Sequence, residues 1–197
     1  MTETVRYEVT GTEGGIEFRR YPALVLATVD DPGDDSGFSA LFSYITGNNR
    51  AQGKIRMTAP VITDEKIPMT APVISDTRTM SFVMPAGKDQ NELPEPLDTR
   101  VQLLTIPQRE MAVIRFKGYA GNNEVASYTS RLLEGLKKSG IPIAGRPVLM
   151  RYNAPWTPGF LRRNEVAVEV NRQETFVTGS NVRSAAAEEL PDHIRNF

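Results

Sequence analysis

The chain has 197 residues, of which 40% are hydrophobic and 24% are charged, and its 23 basic and 24 acidic residues give a formal net charge of −1. This is the composition of an ordinary globular protein with one core, and the balanced charge offers no electrostatic reason to expect DNA or RNA as a partner. The chain contains no cysteine and a single histidine, His193, which excludes disulfides, thiol catalysis, zinc–thiolate sites and metal sites built from several histidines.

The beginning of the chain shows no secretory signal. The residues MTETVRYEVTGTEGG have neither the basic start nor the apolar stretch of a secretory signal. No apolar run anywhere in the sequence reaches the roughly 18 residues of a membrane span. We therefore expect a cytoplasmic protein without a membrane span.

The first quarter of the chain predicts three strands and a short helix. Apolar and β-branched runs predict strands at 5–9 and 16–21, and a continuous apolar run predicts a buried strand at 23–29. Apolar residues then recur at positions i, i+3, i+4 and i+7, which predicts an amphipathic helix that ends at Gly47. The apolar stripe of this helix consists of Phe38, Leu41, Phe42 and Ile45.

A nine-residue phrase occurs twice after this helix. KIRMTAPVI at 54–62 returns as KIPMTAPVI at 66–74, and the only change is from Arg56 to Pro68. Because proline lacks the N–H that a central strand donates, each copy should follow a sheet edge or leave the sheet at its proline. A duplication that lengthened a surface loop and one that placed both copies along one pocket are both compatible with the sequence.

The second half of the chain repeats the order of the first. The strand-to-helix entries FRRYPALVLATV and PQREMAVIRFKG are alike, which predicts an α+β fold of duplicated β-β-α-β units with two helices against a curved, mostly antiparallel sheet. We expect a single domain over 1–171, with halves of about 1–95 and 96–171, followed by a polar tail at 172–197. Strands are predicted at 79–84, 101–106, 111–117, 147–152 and 165–170, and the second helix at 122–139.

Three stretches resemble the SOUL haem-binding protein family. They are the opening YEVTGTEGGIEFRRYPALVLATV, the repeated phrase KIRMTAPVI and the closing RYNAPWTPGFLRRNEVAVEV, and together they extend from Tyr7 to Val170. The resemblance implies a distorted eight-stranded antiparallel β-barrel or sheet flanked by two helices, similar in architecture to the gyrase-inhibitor-like ligand-binding domains of multidrug-responsive regulators. It also implies binding of haem or another tetrapyrrole by a non-catalytic carrier or buffer.

Haem binding requires an apolar slot and cations for two propionates, and candidates for both lie near the first helix. The stripe of Phe38, Leu41, Phe42 and Ile45 would line the slot, although the same spacing is explained by plain core packing. The cations would pair with carboxylates, or they would simply form a solvated basic loop. These cations are Arg50, Lys54, Arg56 and Lys66.

An axial iron ligand is harder to find in this sequence. Some members of the family are thought to use a histidine near the first helix, but DDPGDDSGFSALFSYITGNN contains none. Met57 and Met69 occupy the repeated motif and are the candidate ligands, although methionine at a strand position more often fills a core. Tyr44 and Tyr152 are weaker candidates, and His193 would require the tail to fold back. Binding without axial ligation is therefore the expectation.

Two other functions are compatible with the sequence. The first is a binder or sensor of other amphipathic small molecules, and the second is a small-molecule hydrolase that uses Glu124, Glu134 or Glu165. A haem binder predicts that Phe42, Arg50 and Lys54 converge on one groove, whereas a hydrolase predicts a glutamate that faces a tyrosine inside a closed cavity.

The closing loop offers further candidates. Trp156, the only tryptophan, could stack on a flat ligand or plug one end of the barrel. We expect Asn164 and Glu165 to bond to backbone groups where the loop enters the last strand, and a buried glutamate that faces a cationic ligand is the rival interpretation.

Overall fold

The computed structural model describes residues 3–30, 36–64, 79–153 and 157–172. Short 3₁₀ turns occur at Gln90–Glu92 and Gly159–Leu161. The strands and helices are β1 (Glu3–Thr4), β2 (Glu8–Glu13), β3 (Ile16–Tyr21), β4 (Leu24–Asp30), α1 (Ser36–Thr46), β5 (Thr58–Asp64), β6 (Thr79–Val83), β7 (Gln102–Ile106), β8 (Arg109–Lys117), α2 (Asn122–Lys138), β9 (Val148–Arg151) and β10 (Arg163–Glu169).

Nine of the strands form one antiparallel path in the order β2-β3-β8-β10-β9-β5-β6-β4-β7. The short β1 pairs in parallel with the start of β5. Within the described ranges no pairing joins β2 to β7, so the sheet is open and is not closed into a barrel. No helix in this part of the chain is long and apolar enough to cross a membrane.

The strand order confirms the predicted duplication, although each half has one strand more than the predicted β-β-α-β unit. The halves β3-β4-α1-β5-β6 and β7-β8-α2-β9-β10 have the same element order. The counterparts are β3 and β7, β4 and β8, β5 and β9, and β6 and β10. Exchanging each strand for its counterpart turns the path from β3 to β7 into its own reverse, and the β5–β9 pair lies at the centre. The first strand of each half pairs with the second strand of the other half: β3 pairs with β8, and β7 pairs with β4. The two halves therefore build one sheet of eight equivalent strands, to which β1 and β2 are added.

Three buried clusters organise the core. One lies under α1 and contains the fully buried rings of Tyr44 and Phe82, and one lies under α2. Alternate residues of the strands face the third cluster, on the side away from the helices. Since distant strands such as β4 and β8 meet in this third cluster, the sheet must curve around it. Its buried members are Val5, Tyr21, Leu26, Ile62, Val83, Met111, Val113, Met150 and Ala167.

Both helices follow the predicted pattern. On α2, Val125, Leu132 and Leu136 are buried at helical spacing. α1 ends at Thr46, and Gly47 follows with a φ of 129°, a conformation that glycine adopts without the steric cost of a side chain. The sequence therefore indicated where both helices lie and where the first one ends.

The first copy of the repeated phrase corrects one prediction. β5 contains Pro60 but lies between β6 and β9, so the expectation of an edge strand is wrong. The β5–β6 register is irregular between Thr58 and Val61, and pairing with β9 begins only at Val61. The proline therefore sits at a bulge, where its missing N–H leaves no gap in either ladder. The second copy, at 66–74, lies entirely outside the described residues.

Candidate functional site

The apolar stripe of α1 divides into buried and accessible residues. Leu41 and Ile45 are almost completely buried in the cluster beneath the helix, as core packing requires. Phe38 is half-buried, and Phe42 is 47% exposed although it is a large aromatic residue. Only the edge of the stripe is therefore available to a ligand.

The exposed ring of Phe42 is held in place by its neighbours. Phe38 and Phe42 are one helical turn apart and stack with ring centroids 5.9 Å apart and planes 12° apart. Phe38 in turn meets Phe82 of the core edge-on, with centroids 5.5 Å apart. The result is a flat aromatic platform on the surface that is anchored in the core, a geometry suited to stacking on a planar ligand.

After α1 the chain turns back along the helix. A buried asparagine that the sequence analysis did not single out, Asn49, holds this turn. The Asn49 side chain donates to the carbonyls of Tyr44 and Gly53, at 2.9 and 2.7 Å, and accepts from the Gly53 N–H at 3.1 Å. The Ile55 N–H then donates to the Ile45 carbonyl at 2.8 Å. The only signal in the sequence was a turn-forming GNN after the helix.

The returning segment alternates between core and solvent. Ile55 and Met57 pack against the cluster under α1, whereas Lys54 and Arg56 are exposed. Successive side chains of an extended segment point to opposite sides, so the two cations share the outward side. We call Phe38, Phe42, Lys54 and Arg56 the α1 surface.

The other predicted cations and the iron ligands are placed differently. Arg50 is exposed and pairs with Glu95 at 2.8 Å. The half-buried Met57 packs against the core, which favours the core-filler alternative, while Lys66 and Met69 lie outside the described residues. The described ranges contain no cluster of three or more histidine, cysteine or acidic residues that could hold a metal ion. Among the described residues, Lys54 and Arg56 are therefore exposed to solvent, whereas Met57 packs against the core.

A second group of polar residues surrounds Glu165 on the sheet face opposite the helices. The carboxylate of Glu165 is fully buried. Its Oε2 accepts from Arg19 Nη1 at 2.6 Å and from the Tyr152 hydroxyl at 2.8 Å, and its Oε1 accepts from Arg163 at 2.6 and 2.9 Å and from Arg19 Nη2 at 3.2 Å. Together with Tyr21, whose hydroxyl accepts from Arg19 at 3.3 Å, these residues form the Glu165 network.

An aromatic ring lies against each guanidinium group of the network. Arg19 lies 4.3 Å from the ring centroid of Tyr7, and Arg163 lies 4.0 Å from that of Tyr152. Such cation–π contacts stabilise a buried cation in addition to its ion pair. Arg19 is also paired with the partly exposed Glu17 at 2.7 Å.

The network fixes the protonation of its members. Burial raises the pKa of Glu165, but hydrogen bonds and charge from Arg19, together with hydrogen bonds from Arg163 and Tyr152, outweigh it and leave that pKa below its ordinary value. Burial raises the pKa of the Tyr152 hydroxyl, and the nearby Tyr21 and Glu165 raise it further. At neutral pH Glu165 is therefore ionised and Tyr152 is protonated.

This geometry bears on the predictions for the closing loop and for a hydrolase. Asn164 bonds to backbone as expected, because its side chain donates to the Gly118 carbonyl at 2.9 Å. The same expectation for Glu165 is wrong, because its partners are side chains.

Tyr152 does face Glu165, as a hydrolase would require, but a carboxylate with five donors and a lowered pKa is poorly suited to accept a proton. Glu124 and Glu134 are exposed on α2. Trp156 lies outside the described residues.

Sequence comparisons connect the chain to a known family. The family model described as "SOUL heme-binding protein" matches residues 2–169. Over 133 residues the chain is 31% identical to "Heme-binding protein 2" of Homo sapiens. This match covers 64% of the chain and 64% of the human protein, so it spans less than two thirds of that relative.

Solved structures share the fold at much lower identity. The C-terminal domain of EcmrR aligns with 85% of this chain and 99% of its own, with a TM-score of 0.54 and 14% identity. A hydrolase from Listeria innocua aligns with 82% of this chain and 94% of its own, with a TM-score of 0.56 and 13% identity. These similarities support the α+β architecture and carry no information about activity.

Proposed function

Because the chain belongs to the SOUL heme-binding protein family, we propose that it binds haem or another flat tetrapyrrole and acts as a non-catalytic carrier or buffer. The α1 surface is the proposed site. The observation that carries this assignment is the exposed Phe42 ring, which is anchored on Phe38 and followed along the chain by the outward-facing Lys54 and Arg56.

The residues of the α1 surface would contribute separately to binding. A macrocycle stacked on Phe42 removes apolar surface from water on both partners. Lys54 and Arg56 would pair with its carboxylates by charge-assisted hydrogen bonds. Arg50 could join them at small cost, since an exposed ion pair such as Arg50–Glu95 contributes only about 0–1 kcal/mol. Lys66 stays a predicted member of the same set.

The iron would be held without a strong protein ligand. Haem, when bound, supplies an iron with redox and ligand-binding chemistry. The described part of the chain contains no histidine, and Met57 packs toward the core. Stacking and carboxylate pairing would then provide most of the affinity. Met69 and His193, which lie outside the described residues, remain the predicted candidates for axial ligation.

A haemin titration followed by visible absorption tests this proposal. We expect a saturable shift of the Soret band at about one equivalent for the unmodified chain. Phe42→Ala should weaken haemin binding about tenfold, because it removes the stacking platform. The matched control is Ile143→Ala, which truncates a similarly exposed apolar residue beyond α2. Equal losses in both variants, or an unsaturable spectrum, would contradict the proposed site.

Charge and metal dependence give two further comparisons within the same experiment. The double variant Lys54→Ala/Arg56→Ala should weaken binding, whereas Lys137→Ala/Lys138→Ala on the last turn of α2 should not. Metal-free protoporphyrin should bind within about threefold of haemin if no strong axial bond forms. A much weaker affinity for the metal-free ring would instead indicate a protein ligand to the iron.

The saturated hydrogen bonding of Glu165 supports a binding function over the alternative of a small-molecule hydrolase. It also argues against recognition of a cationic ligand by this carboxylate, because Arg19 and Arg163 already neutralise it. If haemin fails to saturate the chain, the α1 surface becomes a candidate site for another amphipathic molecule that carries an acidic group.

A further inference from the structure

The two ends of the eight-stranded sheet differ in how they are covered. β3 and β7 are counterparts at opposite ends, and the outer edge of β3 is covered by β2. Within the described residues, β7 pairs with β4 alone. Four of the six residues of β3 are buried, whereas three of the five residues of β7 are exposed. In this part of the chain, the position beside β7 that corresponds to β2 is therefore open.

β7 lacks the features by which edge strands usually avoid further pairing. Its sequence, QLLTI, contains no charged residue and no proline, and its register with β4 is regular. Its central residue, Leu104, is 42% exposed. The 3₁₀ turn before β7 contacts it through the Thr105 hydroxyl, which donates to Gln90 Oε1 at 3.0 Å, a side-chain contact that does not use the backbone groups of the edge. Such an edge readily accepts another strand.

β7 and β8 lie in line along the sheet. Tyr21 of β3 lies opposite Arg109 of β8, and Leu24 of β4 lies opposite Ile106 of β7. The step from one pair to the next is three residues on each chain segment, so the register continues across the link between the strands. A segment that lies beside β8 and continues past its start would therefore come to lie beside β7.

The last described residues extend β10 in this direction. β10 lies beside β8, and after its last residue the Val170 N–H still donates to the Glu110 carbonyl at 3.0 Å. Val170 is buried in the cluster under α2, and the Arg172 guanidinium lies 4.3 Å from the ring centroid of Phe18 in the same cluster. Alternate residues thus face one side, as they do in an extended strand. The backbone is therefore directed toward the open edge where the described residues end.

We propose that residues 174–178 pair with β7 as an additional antiparallel strand. Val170 is level with Glu110, and six residues further along each segment Phe176 is level with Leu104. The segment reads Glu-Thr-Phe-Val-Thr and is rich in the aromatic and β-branched residues that favour strands. Phe176 would cover the exposed Leu104, because directly opposed residues of paired strands lie on the same face.

The chain's own segment fits this edge better than a second copy of the chain. Only Gln173 separates Arg172 from the start of the segment, so the segment reaches β7 without association between molecules. The orientation also agrees with the symmetry of the sheet, because β2 is antiparallel to β3 and a continuation of β10 would be antiparallel to β7. Both ends of the eight-stranded sheet would then be covered by a strand from outside the two repeated units.

Hydrogen exchange at the amides of β7, followed by NMR, tests this proposal. With strands on both sides, consecutive amides from Leu103 to Ile106 should exchange slowly, whereas an open edge leaves alternate amides unprotected. Phe176→Pro/Val177→Pro removes two successive N–H groups, one of which would face β7, and should speed exchange at alternate β7 amides about tenfold or more. The matched control, Asn181→Pro/Val182→Pro, makes the same change beyond the proposed strand and should leave β7 protected.

An engineered disulfide tests the register independently, because the chain contains no cysteine. Leu104→Cys/Phe176→Cys should form a disulfide within one chain far more readily than Leu104→Cys/Val182→Cys. Rapid exchange at alternate β7 amides of the unmodified chain would overturn the proposal, as would protection that survives Phe176→Pro/Val177→Pro. A disulfide-linked dimer in place of the monomeric product would also overturn it, because the edge would then receive a strand from a second copy.

Discussion

At the scale of single residues, the most consequential feature is a charge that is both fully buried and fully paired. Removing a carboxylate from water is costly, and the interior accepts Glu165 only because two guanidinium groups and a tyrosine hydroxyl surround it. The partners come from β3, from the end of β9 and from β10, so the network joins a strand of the first half to strands of the second. We expect the network to stabilise this junction.

Replacing Glu165 with glutamine should destabilise the chain by about 3–5 kcal/mol, because Arg19 is then left buried without its main counter-charge. Chemical denaturation at neutral pH measures this loss. The matched control, Glu95→Gln, removes the exposed partner of Arg50 and should cost less than about 1 kcal/mol. Similar losses for the two variants would show that Glu165 does not stabilise the fold.

The lowered pKa of Glu165 predicts how the stability of the folded chain depends on pH. The pKa of Glu165 is lower in the folded chain than its ordinary value of 4.5. The folded state therefore binds fewer protons than the unfolded state, and this contribution to stability is present above pH 4.5 and is lost as pH falls through the folded pKa. Unfolding free energies of the unmodified chain and Glu165→Gln should therefore converge on acidification below this value. A difference between them that stays constant down to acidic pH would contradict this assignment.

The sequence could not have predicted this network. Arg19 and Glu165 are 146 positions apart, and no local spacing relates them. The sequence did contain the alternation Glu17, Arg19, Tyr21 on one strand and Arg163, Glu165 on another, which places each set on one face. Only the strand exchange brings those faces together, because it inserts β8 as the single strand between β3 and β10.

At the scale of elements, the turn after α1 positions the proposed binding surface. Asn49 satisfies the Tyr44 carbonyl and both backbone groups of Gly53. Asn49→Ala should therefore cost about 3 kcal/mol of stability, since buried backbone groups lose their partners, and it should weaken haemin binding by displacing Lys54. Thermal unfolding and the haemin titration measure the two effects. Asn48→Ala is the control, because Asn48 is exposed, and equal behaviour of the two variants would contradict the role given to Asn49.

Local patterns predicted the elements better than they predicted the site. The i, i+3, i+4, i+7 stripe located α1 correctly, but it could not separate the buried Leu41 and Ile45 from the exposed Phe42, because exposure depends on where the helix meets the sheet. Proline in β5 suggested an edge, and the bulge that admits it to the middle of the sheet depends on the register of the neighbouring strand. In both cases the missing information was the tertiary pairing.

At the scale of the whole molecule, the strand exchange makes the two halves dependent on each other. Without β7, β4 would lose one of its two neighbours, and without β3, β8 would lose one of its two. The third core cluster would also be divided, because Leu26 and Val83 come from one half and Met111 and Ala167 from the other. We therefore expect the duplicated halves to fold as a single domain, although their element order repeats.

Separate chains of residues 1–95 and 96–197 test this dependence. Each should be largely unfolded alone, because it exposes one side of the divided core and an unpaired sheet edge. An equimolar mixture should regain the circular dichroism of the intact chain, since β3 and β7 can pair between fragments as they do within one chain. Mutating Glu165 to glutamine in the second fragment should weaken this association, because its carboxylate pairs with Arg19 of the first fragment. Cooperative unfolding of either fragment alone would mean that the halves are independent domains, and the exchanged strands would then be additions to two complete cores.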